Sequence, residues 1–242
     1  MAFTWSERRI NWYLDASGQC DFHQRLAREI LPFLRAEDRV CDMGCGLGRL
    51  DLELAPHVAE ITCVDTDAAV LERLAADAAA RGIRNLRVRQ CDAGQLQGQF
   101  DVVVMAFFGT PPALMFSCLA RTRRKLIRVM SISRGPAAAS VPQAGGLQRE
   151  TAEDVSQALE TAGYPFALRR CTLSFGQPLA SVEDAAAFVR ASAPESTGQT
   201  VRSFLRNHLV PGRSSQFPWE LPKEKELGIF VVDAAGKTGG SL

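Results

Sequence analysis

The chain predicts an α/β fold, a doubly wound and mostly parallel sheet, on three observations. Short strand-like runs alternate with helical stretches from Val40 to Ile132. The run Phe100–Met105 (Phe-Asp-Val-Val-Val-Met) is apolar apart from Asp101, as expected of a central parallel strand covered on both faces. The first strand-like run meets the next helix through glycines at alternate positions, Gly44, Gly46 and Gly48. Such a turn leaves room for close approach and sets backbone N–H groups at a helix N-terminus.

Residues 6–16 and 21–31 read as helices. In the second, Phe22, Leu26, Ile30 and Leu31 recur at three-to-four spacing, Asp21 can cap it and Pro32 ends it. Val40–Met43 is the first strand, Gly48–Ala55 a helix and Glu60–Val64 the second strand. A helix over 67–81 carries Val70, Leu71, Leu74 and Ala78 on one face, and Gly82 stops it. Leu86–Cys91 and Phe100–Met105 are the third and fourth strands, followed by a helix over 112–122 and a fifth strand at Lys125–Ile132. Ser133–Gly146, rich in Gly, Pro, Ala and Ser, reads as a mobile loop. Thr-Ala-Glu-Asp at Thr151 opens a helix that Gly163 closes.

Tyr164–Phe175 and Glu226–Asp233 are further strands. Between them, Ser181-Val182-Glu183-Asp184 starts a helix ending before Pro194, and Thr200–Leu209 forms another. The tail from Ala234 is small, polar and glycine-rich, so it reads as disordered. The organisation expected is N-terminal helices over 1–35, one domain over 36–233 with a helical insertion at 181–210, and a flexible tail at 234–242. No internal repeat and no second domain with its own core is legible.

Bulk properties narrow the function. A net charge of +1 gives no whole-molecule attraction to nucleic acid or membranes. No apolar run reaches the roughly 20 residues of a membrane span. The start, Met-Ala-Phe-Thr-Trp-Ser-Glu-Arg-Arg, lacks the pattern of an export signal, and seven scattered cysteines suit a reducing cytoplasm. Cys41 and Cys45 stand four apart with no second Cys/His pair nearby, so no metal is expected.

The glycine spacing decides the kind of nucleotide. The dinucleotide pattern Gly-x-Gly-x-x-Gly needs its third glycine where Arg49 stands, and no Gly-Lys-Ser/Thr follows for a phosphate loop. Asp42, two residues before Gly44, would repel a pyrophosphate but accept hydrogen bonds from a cation. The turn therefore suits a nucleoside that carries positive charge and no phosphates.

Val-Cys-Asp-Met-Gly-Cys-Gly-Leu-Gly (Val40–Gly48) resembles the first motif of the class I S-adenosylmethionine-dependent methyltransferases, and the resemblance runs on through Gly109. It implies the sheet order 3-2-1-4-5-7-6, with the last two strands an antiparallel pair at the edge. It also implies S-adenosylmethionine as cofactor, held by Asp42, Gly44, Cys45, Gly46 and Gly48. Asp65, with Thr66 beside it, stands where the family holds the ribose hydroxyls; Asp67 is the competing acid but suits a helix cap. Asp92 and the N–H of Ala93 stand where adenine is received, and Ala106 ends the fourth strand at the same edge.

The acceptor is less constrained. Phe107 and Phe108 suggest an aromatic wall, in place of the Asn/Asp-Pro-Pro-Tyr/Phe found in many amino-group methyltransferases. Of three histidines, His23 is the first choice for a general base, ahead of His57 and His208; no catalytic residue is assigned. Trp5, Trp12 and Tyr13 either pack the N-terminal helices or form a lid, and the helical insertion either shapes the pocket or is structural. The basic run Arg121–Lys125 with Arg128 reads as a helix end, with RNA phosphate as the alternative partner. The reading is methylation of a small molecule; the alternatives are an RNA or protein methyltransferase and a catalytically silent cofactor-binding module.

Overall fold

The structure, a computed structural model, describes residues 5–108, 112–132 and 150–236. The loop expected at Ser133–Gly146 and the tail beyond residue 236 lie outside the described residues. Strands β1 (Arg39–Met43), β2 (Glu60–Asp65), β3 (Leu86–Gln90), β4 (Phe100–Ala106), β5 (Thr122–Ser131) and β6 (Phe166–Ser174) follow in chain order. Three short strands come next, β7 (Gln177–Leu179), β8 (Val210–Pro211) and β9 (Trp219–Leu221), and then β10 (Glu224–Asp233). The helices are α1 (Glu7–Gly18), α2 (Phe22–Ile30), α3 (Arg49–Leu54), α4 (Ala68–Ala80), α5 (Pro112–Leu119), α6 (Ala152–Thr161), α7 (Val182–Ser192) and α8 (Gly198–His208).

Among the described residues, seven strands form one sheet in the order β3-β2-β1-β4-β5-β10-β6. This is the order the resemblance implies, with β10 as the seventh strand. β1 to β5 pair in parallel, and β10 lies antiparallel to β5 with Ile229 opposite Val129. β1 sits between β2 and β4, so the strand order reverses at β1, the point where open parallel sheets commonly receive ligands beyond the carboxyl ends of their strands. The central strands are buried on both faces: Cys41, Met43, Val103, Met105, Leu126 and Phe230 belong to one apolar core, and the alternating Val40, Val102, Val104 and Ile127 are buried as well. At the outer edge, β3 exposes Arg87 and Arg89, which discourages further pairing.

The fifth helix ends earlier than its pattern predicts. Arg121 donates to Leu96 O (2.6 Å) and Ser117 O (2.9 Å), and the Thr122 hydroxyl donates to Cys118 O, which closes α5 at Leu119. The basic run therefore starts a strand rather than finishing a helix. Four of its charges pair with acids of this chain: Arg123 with Asp101, Arg124 with the buried Asp38, Lys125 with Asp233 and Arg128 with Glu150.

The chain divides into two compact units. One comprises His23–Ile132, with residues 150–171 and the stretch from Leu227, and holds most of the sheet. The other comprises residues 5–22 and Thr172–Glu226. It has an apolar cluster of its own, formed by Trp12, Leu179, Ala185, Val189, Val201, Leu205 and Leu221, which corrects the expectation of no second core. Trp12 is fixed there by its indole N–H on Asp184 (3.1 Å) and by Gln177, which donates to its carbonyl (3.0 Å). β7, β9 and β8 form a small antiparallel sheet in this unit. Its strands of two or three residues contain Pro178 and Pro211 and are flanked by Pro218 and Pro222, so no alternating pattern marks them in the sequence.

α3 and α4 meet through Gly48, whose φ is +57° and whose missing Cβ would fall 2.4 Å from the Leu74 side chain. Gly48→Ala should lower stability by about 1–3 kcal/mol through left-handed strain and overpacking. A urea unfolding midpoint measures this, and an unchanged midpoint would contradict the packing described.

Candidate functional site

After Met43 the chain turns through three glycines with left-handed backbone, Gly44 (φ 73°), Gly46 (53°) and Gly48 (57°). Inside the turn, Gly44 N and Cys45 N donate to Val64 O (2.8 and 3.0 Å), Gly46 N donates to Asp65 Oδ2 (2.9 Å), and Gly48 N donates to Cys45 O (2.9 Å). These four groups are spent on β2 and on the turn itself. A pyrophosphate cradle needs such donors aimed at the ligand. Here a carboxylate, that of Asp65, accepts from one of them instead.

Asp65 does more than end β2. Its second oxygen accepts from Asp67 N (3.0 Å), so the carboxylate ties the glycine turn to the start of α4. Asp67 caps α4 through Ala69 N (3.0 Å). Thr66 is exposed beside them. Cys91 N donates to Asp65 O (3.1 Å), which brings the end of β3 to the same edge. Asp92 there is exposed, and its Oδ1 accepts from Gly94 N (2.7 Å) in a local turn that leads into the buried Ala93. At the exit of β4, Ala106 supplies a backbone hydrogen bond to Asp42. Phe107 follows with φ 56°, an uncommon state for a residue with a Cβ, and stays 43% exposed. Phe108 lies on the turn: a Cβ at Gly44 would sit 2.2 Å from its ring.

Asp42, Gly44, Cys45, Gly46, Gly48, Asp65, Ala106 and Phe108 are thus joined by direct contacts. Thr66, Asp92, Ala93 and Phe107 adjoin them along the chain. His23 is buried and is carried by α2, not by a turn of this edge. His57 is exposed after α3, and His208, at the end of α8 in the other unit, packs on Phe204 (4.6 Å between rings).

One residue of this site is missing from the sequence reading. Asp51, in the first turn of α3, is fully buried, and Asp42 is only 3% exposed. Asp42 Oδ1 and both Asp51 oxygens meet no N–H or hydroxyl donor. Burial, and then the charge of Asp51, push Asp42 well above the usual carboxylate range; burial pushes Asp51 up to about 7. The thiols of Cys45 and Cys63 lie alongside. A sequence signal was present: Asp51 precedes the apolar Leu54 and Ala55 by three and four residues, the spacing of one helical face, and both are buried.

Comparison with known proteins adds the family context. Residues 40–127 match the family model described as a methyltransferase domain. The chain is 40% identical over 74 residues to the 23S rRNA (uracil(1939)-C(5))-methyltransferase RlmD of Chromohalobacter salexigens, a match covering 30% of this chain and 16% of that protein. It is 31% identical over 99 residues to the uncharacterized methyltransferase YcgJ of Bacillus subtilis, covering 40% of this chain and 38% of that one. The chain thus spans well under half the length of these curated relatives. Among solved structures, the YcgJ protein aligns with a TM-score of 0.61 at 14% identity, over 90% of this chain and 100% of that one. Magnesium protoporphyrin IX methyltransferase from Synechocystis, with bound S-adenosylmethionine, aligns at 0.53 and 14% identity, over 96% and 86%.

The buried acids set a pH dependence of stability. Asp51 binds a proton up to about pH 7 in the folded chain but only to about 3.8 when unfolded, so folding takes up protons across that window. The contribution is therefore most favourable at low pH and declines as pH rises from about 4 to 7. Asp51→Asn removes that decline, and its urea midpoint relative to the wild type should rise between pH 5 and pH 8. A difference that is flat or falls with pH would show that Asp51 is not a strained buried acid.

Proposed function

We propose that the protein, whose residues 40–127 match a methyltransferase-domain model, is a class I S-adenosylmethionine-dependent methyltransferase that methylates a small molecule. The observation that carries this is the turn in which four N–H groups are bonded inside the chain, that of Gly46 on the Asp65 carboxylate. Such a site repels phosphate and favours a cation. Asp65 has lone pairs left for ribose hydroxyls beyond its two backbone bonds. Asp92, with Ala93, is the proposed adenine contact, and the turn itself receives the amino-acid end.

When bound, the cofactor supplies a methyl carbon that an acceptor lone pair attacks as the carbon–sulfur bond breaks, its electron pair passing to sulfur. The chain's task is alignment and exclusion of water. Phe107 and Phe108 form the proposed apolar wall for the acceptor. His23 is the histidine to test as a base for the proton the acceptor loses. A cytoplasmic location goes with this reading, and the seven free thiols suit its reducing conditions.

The similarity to rRNA methyltransferases favours RNA as a second reading. The basic run offers it little, because Arg123, Arg124, Lys125 and Arg128 are each paired with an acid of this chain. Transfer of tritium from labelled cofactor to a cell extract separates the two: label should appear among small molecules, and label in RNA would overturn the choice. Asp65→Ala should weaken cofactor binding by about 1–3 kcal/mol, or roughly 5- to 150-fold. Calorimetry measures this, and unchanged affinity would move the ribose contact elsewhere.

A further inference from the structure

We infer that Asp42 and Asp51 act as one proton-sharing carboxyl pair beneath the glycine turn, with Asp51 the positioning residue that sets the charge and orientation of Asp42 toward a cationic cofactor. The inference rests on the cofactor reading above. β1 delivers Asp42, the first turn of α3 delivers Asp51, and Gly44–Gly48 connect the two. The carboxyl groups lie within hydrogen-bond reach of each other, yet three of their four oxygens face no N–H or hydroxyl donor. Two carboxylates cannot bond to each other without a proton between them. Two unshielded charges this deep would be far costlier than one.

The surroundings leave no other solution. Asp42 also faces Asp65 at the end of β2 and the Ala106 N–H at the exit of β4. Asp51 faces the Cys63 thiol of β2, and the Cys45 thiol of the turn and Cys41 of β1 stand near both acids. None of these is a cation. Arg49, which begins α3, is held by Asp77 of α4 at 3.0 Å. The pair therefore keeps protons that an ordinary carboxylate would have lost.

With a sulfonium held at the turn, the pair favours its singly ionised form, in which the Asp42 and Asp51 carboxyl groups share one proton. The other proton passes to solvent. Cation binding and proton release are then two sides of one equilibrium.

Titration calorimetry between pH 6 and 8.5, in buffers of different ionisation enthalpy, tests this. Wild-type protein should release about half a proton or more on binding S-adenosylmethionine near pH 7, with affinity falling by up to about tenfold per unit below it. S-adenosylhomocysteine, which lacks the sulfonium charge, should release fewer. Asp51→Asn removes the second ionisable carboxyl, so both its proton release and the slope of its affinity with pH should fall to less than half of the wild-type values. Proton-neutral, pH-flat binding by the wild type overturns the inference, and so does an Asn variant with the wild-type slope. Should the variant not fold, equal proton release with the two ligands overturns it on its own. An absence of heat with either ligand at every pH would instead remove the cofactor reading beneath it.

Discussion

Four N–H groups of the turn Gly44–Gly48 are bonded inside the chain, and the rest of this edge is built on that closure. Gly44 and Cys45 close on Val64, Gly46 on the Asp65 carboxylate and Gly48 on Cys45. A strand-to-helix glycine turn is commonly an anion site because its donors point outward. Here those bonds point inward, and the turn becomes a rigid rim that joins β1 to the end of β2. Left-handed backbone at three positions permits this, and the contacts of Gly44 with Phe108 and Gly48 with Leu74 leave no space for a Cβ at either.

The same construction concentrates negative charge. Parallel strands carry Asp42, Asp65 and Asp92 to one edge because the register of β1, β2 and β3 aligns their carboxyl ends. Asp42 and Asp51 are buried without a cation, whereas the acids Asp38, Asp77, Asp101 and Glu150 elsewhere in this unit have arginine partners. Acids are thus neutralised by arginine where they support the fold and by retained protons beneath the glycine turn.

Much of this was legible because it depends on local pattern. The alternation of elements, the helix-stopping glycines at Gly82 and Gly163, and the acid–glycine spacing of Asp42–Gly48 each carry their meaning in a few adjacent residues. The cap at Asp67 was readable for the same reason. What escaped depends on partners distant in the chain. Trp12 finds its core with α7 and α8 more than 170 residues away, as its bond to Asp184 shows. The proline-interrupted strands β7, β8 and β9 form only by pairing with each other. Arg121–Lys125 resembled a helix end, because the acids that draw it into β5 lie on other elements. Asp51 has no place in the sequence reading, since its burial is set by what covers that face.

The most direct measurement is a crystal structure after soaking with S-adenosylhomocysteine and, separately, with a nicotinamide dinucleotide. The inward-closed turn predicts the nucleoside at the ends of β1 and β2, with its ribose hydroxyls on Asp65 and no dinucleotide bound. A pyrophosphate resting on the N–H groups of Gly44–Gly48 would contradict it.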